Sequence, residues 1–162
     1  EQTSIDLLAH YENVIVLRTL SKAFALAGLR CGFTLASKEI VTLLSKVIAP
    51  YPISAPVAEI ASKALKSDLG KMSQRVQACN RLKATLSLWL SEQNWCSEVF
   101  ASDANFILFR CRNQQEKQRI FDTLVEKNIL IRDQSKQMQL EHCLRISIGS
   151  EHEITQLKEV LS

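Results

Sequence analysis

The chain has 162 residues, 46% of them hydrophobic and 23% charged, with a formal net charge of +3. That length and apolar content are enough for a real core, in one domain or two small ones. Basic residues spread along the chain, with aromatics at only 6%, do not describe a nucleic-acid-binding face, and the longest uncharged run, Val47 to Ala58, is too short and too broken by Pro50, Pro52 and Pro56 to span a bilayer.

Val14 to Leu17 is a short continuous apolar run, the pattern of a strand buried on both faces. It leads directly into Thr19-Leu-Ser-Lys-Ala-Phe-Ala-Leu-Ala-Gly-Leu-Arg30, where one lysine stands among small and apolar neighbours. An ammonium so surrounded is poorly solvated; its pKa tends to fall and the neutral amine becomes a nucleophile for carbonyl carbon. Lys22 is therefore a Schiff-base candidate. Thr19 and Ser21 add two hydroxyls, and Arg30 adds a permanent cationic fork suited to phosphate, so the segment describes a site for a phosphorylated aldehyde. In open α/β sheets ligands collect beyond the carboxyl ends of strands, where this segment falls. Cys31 to Ala36 reads as a second strand, with Gly28 and Gly32 expected to allow tight turns on either side of Arg30.

Ser37 is placed to cap a helix with apolar positions Ile40, Val41, Leu43, Leu44, Val47 and Ile48, ending before Pro50. Ser54 and Pro56 start another, carrying Val57, Ile60, Ala61, Ala64 and Leu65 on one face and broken at Ser67 to Gly70. Met72, Val76, Cys79, Leu82, Leu86 and Leu90 then predict a long helix. After Trp95 short strands and helices alternate: Ser97 to Phe100, Ala104 to Arg110, a helix around Ile120 to Val125, and Ile129 to Arg132. A polar loop over 133–142 leads to the strand Cys143 to Ile148, whose alternation sends Leu144, Ile146 and Ile148 to one face and Cys143, Arg145 and Ser147 to the other. Ser150 and Glu153 form a capping-box pattern for a closing helix. The five cysteines are odd in number and contain no Cys-x-x-Cys pair, which suggests neither a disulfide framework nor a zinc site; the thiols are expected to be reduced and cytoplasmic, with no metal.

The segment from Thr19 to Arg30 resembles the lysine signature of pyridoxal-phosphate-dependent aminotransferases and, within them, the histidinol-phosphate aminotransferase family. Ala49-Pro-Tyr-Pro52, Asn105-Phe-Ile-Leu108, Ile131-Arg-Asp-Gln134 and Cys143-Leu-Arg-Ile146 are similar to that family in the same order, so the likeness covers nearly the whole chain. It implies pyridoxal 5'-phosphate as cofactor, with Lys22 catalytic and Thr19, Ser21 and Arg30 holding the phosphate. It further implies that Arg145 binds the substrate's carboxylate or another anionic group, that Arg132 contacts the substrate phosphate, and that Asn105 faces the site. Read without the likeness, Arg132 could equally be neutralised by Asp133, and Asn105 could be ordinary turn chemistry.

An α/β fold follows from the same likeness: the end of a large cofactor-binding domain over 1–53, connecting helices over 54–94 and a small C-terminal α/β domain over 95–162. The implied partners are small anionic amino substrates (histidinol phosphate, glutamate, 2-oxoglutarate) and a second subunit in a cytoplasmic homodimer, without nucleic acid or membrane. The aspartate that pairs the cofactor ring nitrogen in this family lies in an Asp-Glu-Ala-Tyr stretch, which is expected to precede Glu1. The chain is thus expected to be the later part of a longer enzyme, inactive by itself. Two other readings remain open at this stage: a threonine-phosphate decarboxylase-like enzyme on the same scaffold, and a non-catalytic assembly fragment.

Overall fold

The computed structural model describes residues 3–162. Its elements are β1 (Val16–Thr19), β2 (Gly32–Leu35), α1 (Lys38–Ser45), α2 (Ala55–Ser67), α3 (Leu69–Ser91), β3 (Cys96–Val99), β4 (Phe106–Cys111), α4 (Gln114–Glu126), β5 (Arg132–Asp133), β6 (Cys143–Ser147) and α5 (Glu151–Leu161). Short 3-10 turns cover Ser4–Ala9 and Ala27–Leu29. Residues divide into two compact units, the first ending at Arg75 and the second running Val76–Ser162.

In the first unit β1 and β2 form a two-stranded antiparallel sheet with Thr19 opposite Gly32. The apolar run at Val14 to Leu17 predicts a strand buried on both faces, but β1 begins two residues later and none of its residues is buried; Leu17 is 74% exposed. No other described strand pairs with this hairpin to cover it. Ser37 caps α1 as expected, its hydroxyl accepting from the Ile40 N–H at 3.4 Å. The helix ends at Ser45 rather than continuing to Pro50, and Val41, Leu43, Val47 and Ile48 stay exposed. The core here is small: Leu20, Cys31 and Ala61, with Phe24, Leu26, Leu29 and Val57 packed around them. Ala61 and Val57 bring α2 against the apolar side chains of the lysine loop.

The break between α2 and α3 is shorter than the Ser67 to Gly70 composition predicts: Asp68 alone interrupts, and Gly70 lies inside α3. At 23 residues α3 is about 34 Å long at 1.5 Å per residue.

In the second unit the four strands are antiparallel in the order β3-β4-β6-β5. Ile107, Phe109, Leu144 and Ile146 line one sheet face and are buried with Leu86 and Leu90 of α3, Ile120 and Leu124 of α4, and Ile154, Leu157 and Leu161 of α5. Trp95 joins this core, stacking edge-on to Phe109 with ring centroids 5.9 Å apart. Ser150 and Glu153 form the expected capping box at the start of α5. One expectation needs correction: Ile129 to Ile131 is not strand, leaving β5 only two residues. Cys143, which alternates with the core-facing residues of β6, is buried as well.

Candidate active site

The lysine loop is the connection of the β1–β2 hairpin. Its base is closed by the Leu20 N–H donating to the Cys31 carbonyl at 3.2 Å, and inside it the Leu26 N–H donates to the Leu20 carbonyl at 3.1 Å. Lys22 opens a tight turn in which the Ala25 N–H donates to its carbonyl at 2.9 Å, so the segment is a turn and not the start of a helix. Leu20, Phe24, Leu26 and Leu29 take the apolar side of the loop to α2, which leaves Thr19, Lys22 and Arg30 exposed. Within this chain the Lys22 ammonium is therefore not enclosed by its apolar neighbours; their side chains turn inward while its own turns out. Arg75, near the start of α3, donates from Nη1 to the Phe24 carbonyl at 3.4 Å and ties that end of the helix to the loop.

The two hydroxyls meet. Thr19 Oγ1 donates to Ser21 Oγ at 2.8 Å and accepts from the Ser21 N–H at 3.1 Å. Arg30 Nη1 donates to the Ala27 carbonyl at 3.1 Å, which folds the guanidinium over its own loop. Gly28 lies in the tight 3-10 turn before Arg30, but the left-handed residues here are Ala25 and Arg30 themselves, at φ 58° and 51°, while no described glycine has positive φ. Gly32 is required for another reason, since a Cβ there would lie 2.7 Å from the Arg18 carbonyl oxygen across the ladder.

In the second unit, register sets Arg132 of β5 directly opposite Arg145 of β6. Like charges facing across a ladder repel unless an anion joins them, and neither has an ion pair among the described residues. Asp133 does not neutralise Arg132; it pairs instead with Lys117 of α4, Nζ to Oδ2 at 2.7 Å. Burial works to raise the Asp133 pKa, but hydrogen bonds from Lys117 and Ser135 outweigh it and hold the carboxyl below its ordinary range. The Arg145 guanidinium lies 4.8 Å from the Phe106 ring centroid, and its Nε–H is buried without a hydrogen-bond partner among the described residues. A buried donor left unmet is costly, so it marks a place where an acceptor is wanted. Asn105 sits in the bend before β4, its carbonyl accepting from the Ile148 N–H at 2.9 Å and its side chain exposed.

The model of the family described as aminotransferase class I and II matches residues 1–162. The chain belongs to that family. A histidinol-phosphate aminotransferase of Colwellia psychrerythraea is 68% identical over 161 residues, which cover 99% of this chain and 44% of that protein. Among solved structures, the histidinol-phosphate aminotransferase of Clostridium acetobutylicum matches with a TM-score of 0.86 at 23% identity, over 98% of this chain and 48% of that one. The Sinorhizobium meliloti histidinol-phosphate aminotransferase, solved in complex with pyridoxal-5'-phosphate, matches with a TM-score of 0.73 at 25% identity, over 97% of this chain and 42% of that one. The chain thus spans less than half the length of these aminotransferases.

Sequence reasoning missed Lys117 and Arg110. Lys117 stands three and seven positions before Ile120 and Leu124, on the apolar stripe of α4, and a lysine at such a position is a signal for a buried, paired charge. Arg110 donates from Nη1 to the Glu141 carbonyl at 2.6 Å and from Nη2 to the Gln139 carbonyl at 3.1 Å, holding the loop that joins β5 to β6. No helix among the described residues is long and apolar enough to cross a membrane.

Proposed function

We propose that this chain is the C-terminal portion of a histidinol-phosphate aminotransferase, a cytoplasmic homodimer that moves the amino group of histidinol phosphate to 2-oxoglutarate. The observation that carries this reading is the lysine loop, which leaves an exposed amine one residue from a hydrogen-bonded hydroxyl pair and sets an arginine in its closing turn. Amine, hydroxyls and guanidinium form a donor set that fits the two ends of pyridoxal 5'-phosphate. Lys22 would hold its carbonyl carbon, while Thr19, Ser21 and Arg30 would hold its phosphate. Bound there, the cofactor supplies an electrophilic carbon that condenses with amino groups and a ring that draws electrons from the bond to be broken.

The remaining work falls to the chain. Lys22 Nζ would hold and move the proton of the substrate Cα. Arg145 binds the carboxylate of glutamate or the corresponding anionic group of the other substrate, with its unmet Nε–H as one donor. Arg132, unneutralised by Asp133, takes the substrate phosphate, and Asn105 contributes a polar contact. Residues 1–53 belong to the large cofactor-binding domain, 54–94 to connecting helices and 95–162 to the small domain. Exposed apolar residues of the first unit, among them Leu17, Leu43 and Val47, are read as contacts to the rest of the enzyme and to the second subunit.

The test uses the complete enzyme carrying this chain, with pyridoxal phosphate added. Lys22→Ala should abolish the cofactor's protein-bound absorbance and lower transamination by at least about 100-fold; a variant that keeps both would refute the assignment. The 162-residue chain alone should show little or no turnover, and substantial activity from it would contradict the C-terminal-portion reading.

A further inference from the structure

Lys117 is the only charged residue buried among the described residues, at 3% exposure, and the chemistry above gives it no part. Its α4 packs on the core face of the small sheet, where Ile120 and Leu124 meet Phe109 and Leu144. Register pairs Asp133 with Leu144 and Arg132 with Arg145, so Asp133 points to the α4 side and Arg132 to the other side. β5 has only two residues and lies at the edge of the sheet. Such a short edge strand is weakly held by its ladder alone. The Lys117–Asp133 pair adds a charge-assisted bond at its second residue, and Asp133 Oδ1 also accepts from the Ser135 N–H at 2.8 Å.

We propose that Lys117 is a positioning residue for substrate binding: by anchoring Asp133 from α4 it fixes β5 and thereby holds Arg132 beside Arg145. This rests on the reading of Arg132 as the contact for the substrate phosphate. Arg145 lies on β6, between β4 and β5 in the sheet, and does not depend on this anchor. Lys117 therefore tunes the subsite for the phosphorylated substrate and leaves the carboxylate subsite alone.

The experiment uses the complete, pyridoxal-phosphate-loaded enzyme with Lys117→Met, Lys117→Arg and Arg132→Gln. Methionine keeps the volume of the stem, and the Asp133 side chain, 30% exposed, retains water, so the fold should survive. Lys117→Met should raise KM for histidinol phosphate roughly three- to tenfold, less than loss of a direct charge-assisted hydrogen bond to the substrate would cause because the effect is passed on through Arg132, with kcat and the KM for glutamate unchanged. Amide hydrogen exchange across 130–135 should quicken while β4 is unaffected. Lys117→Arg, which can still pair with Asp133, should restore most of both. Equal changes in both KM values, unchanged exchange in β5, or no rescue by arginine would each overturn the proposal. If Arg132→Gln raises KM for histidinol phosphate and Lys117→Met does not, the anchoring role fails. If Lys117→Met quickens exchange but Arg132→Gln leaves that KM unchanged, the phosphate reading of Arg132 fails, and the positioning role falls with it.

Discussion

The two units of this chain bury apolar surface very differently. The second closes a core over both layers, with Leu86, Leu90, Ile107, Phe109, Ile120, Leu124 and Leu144 all at or near zero exposure. Among the described residues the first gathers a cluster of Leu20, Cys31 and Ala61, with Ala64 also buried, and leaves Leu17, Leu43, Val47 and Tyr51 between 61% and 94% exposed. Stability thus resides mainly in Val76–Ser162, whereas the groups assigned to cofactor chemistry lie on a thinly supported loop. Catalytic groups placed by few internal contacts depend on what packs around them, and a self-contained scaffold does not.

Mutations can break this contrast. The largest effect is expected from Phe109→Ala, which should cost about 3–5 kcal/mol in urea unfolding of the chain; a loss under about 1 kcal/mol would mean that the second unit is less tightly packed than its burial indicates. Next comes acid. The folded Asp133 carboxyl is held below its unfolded value near 3.9, so its ion pair contributes fully above that pH and is lost as pH falls through the lower folded value. Asp133→Asn should therefore be less stable than the parent at pH 7, with the gap narrowing below about pH 4; a gap independent of pH would exclude the ion pair as its source. Ser150→Ala removes the cap of α5 and should cost about 1 kcal/mol. The smallest change belongs to the first unit: Leu43→Ser, on an exposed face of α1, should stay within about 0.5 kcal/mol in the isolated chain, and a larger loss would reveal a core there that burial does not show.

Where local rules and burial agree, the fold was legible. The period of Leu82, Leu86 and Leu90, the alternation of Leu144 and Ile146 with Arg145 in β6 and the Ser150–Glu153 box are each satisfied inside the second unit, and each formed as the pattern predicts. Val14 to Leu17 was misread because a continuous apolar run reports a need for cover on two faces without saying whether the same chain supplies it. The tight turn at Gly28 was legible, but turn composition does not say which residues become left-handed; Ala25 and Arg30 do. In the site, the Thr19–Ser21 contact follows from residues two apart, and their meeting was legible. The facing of Arg132 and Arg145 was not, because strand register joins residues thirteen apart through a loop whose geometry depends on Arg110. The partner of Asp133 was hidden for a similar reason: the nearest cation in sequence is Arg132, but strand alternation sends the two side chains to opposite faces.

Arg30 carries one further consequence. A branched or long side chain in the left-handed region costs roughly 1 kcal/mol that glycine would not incur, so on folding grounds alone this is a place for glycine. An arginine kept there trades backbone ease for a guanidinium at the mouth of the loop. Substituting Arg30→Gly should therefore relax the hairpin while emptying it of its fixed positive charge, and any search for a sturdier chain that ranks variants by melting temperature would favour the change that, on the function proposed above, silences it.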